Sequence, residues 1–138
     1  MKQNKFLDLI SSQTILADGA MGTMLHARGV GFDKCFDELN MTNPSAVAEI
    51  HRAYIEAGAQ LIITNTFGAN RFKLTKHGLQ DDVVEINKAS VDLARRVVER
   101  GRDQVFQHLS IIARQARVDG HPPDFVLAGH HHLDRARA

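Results

Sequence analysis

The chain has 138 residues, enough for one domain and not for two. With 43% hydrophobic and 24% charged residues it has the composition of a packed domain, not of a disordered one. A net charge of +1 leaves no excess of cations for nucleic acid or an acidic membrane surface, and no apolar run approaches the ~20 residues of a membrane span. Asp8 interrupts the N-terminus before a signal-peptide core can form. Cys35 is the only cysteine, so no intramolecular disulfide can form, and a reducing, cytoplasmic location is expected. One Tyr and no Trp leave few stacking platforms for single-stranded nucleic acid.

In chain order, Phe6, Leu9 and Ile10 predict a short opening helix over roughly residues 4–11 that covers the strand to follow. A buried strand is expected at Ile15–Asp18. A turn of small residues, Gly19-Ala20-Met21-Gly22, leads into a helix over Met21–Ala27, which Gly29 and Gly31 stop. Residues 30–42 read as an irregular connection. A helix then starts at Asn43 as N-cap with Pro44 in first position, carries Val47, Ile50, Tyr54 and Ala57 on one face, and ends at Gly58. A second strand is expected at Leu61–Thr64, and a helical turn over roughly residues 70–76 stops at Gly78. A long helix is expected over roughly residues 82–100, with Val83, Ile86, Ser90, Leu93 and Val97 as its buried stripe and Gly101 as its stop. A third strand should begin near Val105 and resume over residues 109–113. Residues 114–138 show neither period and read as a poorly structured tail.

Strand, loop, helix in tandem means an α/β fold with a parallel sheet. In such folds ligands sit outside the carboxyl ends of the strands. Asp18 closes the first strand and would be aimed into that mouth. Gly19 and Gly22 can adopt positive φ and let backbone N–H groups approach an anion. An acid beside free amides suits a zwitterion such as an amino acid. Asp18 could instead cap the next helix. Asn65, Thr66 and Phe67 occupy the second mouth. Asn65 and Thr66 could simply hold the turn, and Phe67 could fill the core.

The segments Ala17–Leu25 (ADGAMGTML), Asp37–Pro44 (DELNMTNP) and Ile50–Leu79, with the helix ending LARRVVE at Glu99, resemble the homocysteine S-methyltransferase family over about residues 12–100. The resemblance fades after Arg102, where no Gly-Ser-x-Gly-Pro type loop follows. The resemblance implies a (β/α)8 TIM barrel. Such a barrel takes ~250 residues, so a partial barrel of its first two or three βα units is expected over residues 1–113, with residues 114–138 as an irregular C-terminal tail. It implies methyl transfer to the homocysteine thiol in methionine biosynthesis, with homocysteine and a methyl donor as partners. By resemblance, Asp18 would accept hydrogen bonds from the substrate ammonium. Gly19, Ala20 and Met21 would offer backbone groups to its polar end, and Asn65, Thr66 and Phe67 would shape the pocket beside it.

The family also implies zinc, held by three cysteine thiolates with one position left for the substrate sulfur. This chain has no such set, and Cys35 matches no family ligand. His130, His131 and His132 are adjacent and read as a solvated tail. His26 and His51 are expected at the surface or in helix contacts, and His77 at a helix end. No metal site is therefore expected in this chain, which alone is expected to be inactive. Self-association through open strand edges is expected. The competing readings are an inactive remnant and a small αβ module that binds another amine.

Overall fold

The computed structural model describes residues 5–102 and, further along, the backbone of two strands at 110–112 and 126–127. Helix α1, Lys5–Ser12, opens the chain. It contributes no residue to either buried core, and Leu7 and Ile10 stay exposed. Helix α2 is Met21–Ala27, and α4 is Pro44–Glu56. Asn43 accepts the Ala46 amide, 3.4 Å, as the cap that the Asn-Pro pair predicts. Between them lies a four-residue helix, α3, Leu39–Thr42, inside the segment expected to be irregular. One turn of helix is too short to show a period in the sequence.

Strand β1 is Leu61–Ile63. Helix α5, Arg71–Leu74, is capped by Asn70, whose Oδ1 accepts the Lys73 amide at 3.0 Å, and it tightens into a 3-10 turn over Thr75–His77. Helix α6, Val83–Arg102, runs through Gly101, where a stop was expected. A glycine in a last turn costs only ~1 kcal/mol and need not end a helix. Helix α2, helix α4 and the 3-10 turn all end the same way. Gly29, Gly58 and Gly78 take positive φ, 90°, 101° and 72°, and the next amide reaches back to Leu25, Tyr54 and Leu74. Gly19 and Gly22 do not take positive φ, contrary to expectation.

The sheet order is β1-β2-β3, with β2 at Ser110–Ile112 and β3 at Val126–Leu127. β1 and β2 are parallel, with Leu61 opposite Ser110 and Ile63 opposite Ile112. β3 joins antiparallel, which an all-parallel barrel does not predict. The start expected near Val105 and most of residues 114–138, with His130, His131 and His132, lie outside the described residues. The strand expected at Ile15–Asp18 is reduced to one parallel bridge, Ala17 to Leu61. A parallel neighbour therefore sits on each side of β1, but the described residues close no barrel.

Leu25, Val47, Ile50, Ile62, Leu93 and Val98 form the main core between α2, α4, β1 and α6. A smaller core joins Cys35, Ala69, Leu74, Val83 and Ile86. The expected α6 stripe is buried throughout. His51, expected at the surface or in a helix contact, is 0% exposed, which leaves only the contact. It lies four residues after Val47, hence one turn along the same buried face. Neither ring nitrogen has a hydrogen-bond partner among the described residues, and burial pushes the imidazole down to about 4 from its ordinary 6.5.

The fold thus favours neutral His51. Its contribution to stability is full above pH 6.5 and is lost as the pH falls toward 4, by roughly 3 kcal/mol in total. Burial shifts Asp18 and Asp37 up, so their contributions run the other way and grow on acidification. Urea unfolding of the chain and of His51→Leu at a series of pH values separates the two. The variant should gain on the wild type steadily below pH 6.5, and parallel pH profiles would show that the ring is not sequestered.

Candidate functional site

The first strand's only bridge sets the site. The Asp18 amide donates to Leu61 O at 2.9 Å, and the Leu61 amide donates to Leu16 O at 3.1 Å. The next rung of a parallel ladder would carry the Ile63 amide to a backbone carbonyl of the first strand. Instead that amide donates to Asp18 Oδ2 at 3.1 Å. The carboxylate replaces a rung, and the ladder stops there. Asp18 is thereby fastened to the last residue of β1, so the ends of the two strands lie side by side.

Asp18 does not cap α2. The cap position is Ala20, and no side chain caps this helix. Asp18 Oδ1 is buried and has no hydrogen-bond partner among the described residues. Burial pushes the Asp18 carboxyl up to about 6, against the lowering effect of the Ile63 amide. A half-buried acid with one oxygen anchored and one unpaired is poised for a cation or hydrogen-bond donor.

Gly19 is needed for space. A Cβ there would stand 2.8 Å from the Tyr54 hydroxyl, which donates to Ala20 O at 3.1 Å. Tyr54, on α4, thus braces the Gly19–Ala20 turn from beneath. Its hydroxyl is pushed to a higher pKa by burial and by the neighbouring Asp18 charge. Met21 begins α2 half-buried and packs against the main core.

The second mouth is more heavily tied. Asn65 Nδ2 donates to Phe36 O at 2.7 Å and to Asn40 Oδ1 at 3.2 Å. Asn40 Nδ2 returns a bond to Asn65 O at 2.7 Å. Each amide nitrogen faces a backbone carbonyl, which settles both amide orientations. Thr66 and Thr64 hydroxyls lie 2.9 Å apart, both buried. Three residues after Asn65, the Gly68 amide donates to Asp37 Oδ1 at 2.9 Å. Burial raises the Asp37 carboxyl, opposed by that amide and by the charges of Lys73 and His77. Phe67 is 72% exposed and so does not fill the core; Lys73 Nζ lies 4.3 Å from its ring centroid.

The turn-holding alternative therefore fits the Asn65 side chain, whose donors are engaged in the loop's own bonds. Asp37, Asn40 and Tyr54 were not singled out from the sequence. Their partners lie 31, 25 and 34 residues away, so no local pattern points to them. The signals available were the segment DELNMTNP, which carries part of the family resemblance and holds Asp37 and Asn40, and the place of Tyr54 on the apolar face of α4.

A thiolate metal centre does not fit the described residues. No group of three His, Cys, Asp or Glu side chains comes together among them. Cys35 is buried, and burial pushes its thiol up, away from the thiolate a metal requires. No helix among the described residues is long and apolar enough to cross a membrane.

Among curated proteins, the chain is 37% identical to the methionine synthase of Mycobacterium tuberculosis and 35% identical to that of Mycobacterium leprae, each over 99 residues. Those alignments cover 67% of this chain and only 8% of either relative. Among solved structures it is similar to the homocysteine methyltransferase MmuM of Escherichia coli in its metallated form. The TM-score is 0.69 and the identity 31%, over 80% of this chain and 40% of that one. The apo form of the same enzyme superposes with a TM-score of 0.54, over 76% and 37%. The homocysteine S-methyltransferase family matches residues 15–133, well past the point where the sequence resemblance was read as fading. That match spans both mouths, the braces behind them and all three strands, and the chain belongs to the homocysteine S-methyltransferase family.

Proposed function

We propose that this chain holds the amino-acid end of homocysteine for methyl transfer to its sulfur. One observation carries the reading: Asp18 is anchored by Oδ2 to the end of β1 while Oδ1 stays buried and unpaired at the strand mouth. A substrate ammonium would supply the missing donor and the compensating charge together. Gly19, Ala20 and Met21 present backbone groups to the polar end of the substrate, and Asn65, Thr66 and Phe67 form the neighbouring wall. The family supports homocysteine as the amino acid.

In the reaction the thiol gives up its proton to solvent, a sulfur–methyl bond forms, and the bond from methyl to donor breaks with its electron pair leaving on the donor. The residues described here bind and orient. They contain no thiolate cluster, so activation of the sulfur falls to groups outside them. The proposal therefore divides the work. Residues 1–113 belong to the substrate-binding (β/α) unit, and Val126–Leu127 adds a strand to its sheet.

Asp18→Asn keeps the size and an acceptor for Ile63 but removes the charge. It should weaken L-homocysteine binding about tenfold to a hundredfold, the worth of a charge-assisted hydrogen bond of ~1.5–3 kcal/mol. Titration calorimetry on the purified chain reads this directly, and an unchanged dissociation constant would reduce Asp18 to a structural tie.

The pH profile makes a separate test. Only the ionised carboxylate attracts the ammonium, and the free carboxyl titrates at about 6. Affinity should be flat above about pH 7, be halved near pH 6 and approach a tenfold fall per unit below about pH 5. The Asp18→Asn variant should lack that fall. A wild-type profile that stays level down to pH 4.5 would count against the assignment.

A further inference from the structure

We propose that Asn40, together with Asp37, is a positioning residue for Phe67 at the mouth of β1. This rests on the reading of that mouth as the homocysteine site. Phe67 carries the most exposed ring among the residues assigned to the site, and an exposed aromatic on a loop would ordinarily wander among rotamers and loop conformations. Here the loop is tied on both sides of it. Two residues before Phe67, the Asn65 backbone carbonyl and side-chain amide are both bonded to Asn40, and the same amide also donates to Phe36 O. One residue after it, the Gly68 amide is held by Asp37.

All of these partners come from one short stretch, residues 36–40. The bonds are shielded from water: Asn40 is 3% exposed and Asn65 6%. A buried amide pair that satisfies its donors reciprocally admits few alternative arrangements, because breaking one bond strands polar groups without water. Gly68 tightens the arrangement further, since a Cβ there would run into the Asp37 carboxylate. Neither Asn40 nor Asp37 needs to touch substrate for this. They fix where the Phe67 backbone leaves the core, and Lys73 lies over the ring from α5.

The test uses the whole chain and two readouts, with Asp18→Asn as the reference variant. Amide hydrogen exchange at Thr66, Gly68 and Ala69 reports the loop, and exchange at Ile50 in α4 reports global opening. Calorimetry with L-homocysteine reports the site. Asn40→Ala should speed exchange in the loop about tenfold or more while Ile50 stays unchanged, and should weaken L-homocysteine binding several-fold. Equal acceleration at Ile50 and in the loop would make Asn40 a general stability residue and overturn the proposal. Unchanged loop exchange would overturn it as well. So would a loosened loop with wild-type affinity, provided Asp18→Asn still weakens binding. If Asp18→Asn has no effect, or the wild type does not bind, the site reading itself has failed and the positioning role fails with it. Asp37→Ala removes the other tie at a half-buried residue, and it makes the same test if Asn40→Ala does not fold.

Discussion

The hydrogen bond from the Ile63 amide to Asp18 Oδ2 is the contact on which the rest of the arrangement depends. It does two things that a backbone rung could not. It ends the pairing between the first extended segment and β1 after one bridge, which frees Gly19 and Ala20 to turn away toward α2. It also brings a carboxylate to the strand end, where its second oxygen is out of water and unpaired. Desolvation then lifts the carboxyl to about 6, a cost the fold bears at neutral pH. A backbone carbonyl in the same place would have extended the ladder and left no ionisable group at the mouth.

Around that contact the fold supplies two braces of different kinds. Tyr54 reaches from α4 to the Ala20 carbonyl and occupies the space a side chain at position 19 would need. Asp37 and Asn40 reach from the stretch around α3 to the loop after β1. Both braces start from the layer that packs against the main core, through Phe36, Leu39 and Tyr54. Core packing is therefore transmitted to the two turns by a handful of polar bonds. The turns can stay short and rich in small residues because their geometry is imposed from outside.

Local chemistry explains what could be read from the sequence. Asn43-Pro44 and Gly58 bracket α4 through a side-chain cap, a fixed φ and a left-handed stop, each acting within a few residues. The α6 stripe is a period-3.6 pattern long enough to show. The first strand misled because the apolar run Ile15-Leu16-Ala17 says nothing about a carboxylate replacing a rung. Strand β3 escaped because two residues carry no pattern. His51 misled because it was placed on a different helical face from Val47, whereas a four-residue step lands one turn along the same face. Of the candidate site, Asp18 was legible from its place at the end of an apolar run. Asn40 was not, since its role exists only once residue 65 has been brought to it.

The unpaired buried polar groups among the described residues divide along the same line. They are Asp18 Oδ1, the two ring nitrogens of His51 and the Ser90 hydroxyl. His51 follows the core residue Ile50 on α4, and Ser90 lies one turn before the core residues Leu93 and Ala94 on α6. Both can stay uncharged, His51 by holding its imidazole neutral and Ser90 by nature, so each costs the fold one missing hydrogen bond or so. Asp18 differs because its unpaired atom belongs to a group that is ionised above pH 6 and sits where the strands open. A partly buried charge without a counter-charge is the more expensive of the two conditions, and a bound ammonium relieves it while a water molecule relieves it only in part. That imbalance is what the proposed ammonium contact at the mouth of β1 would relieve.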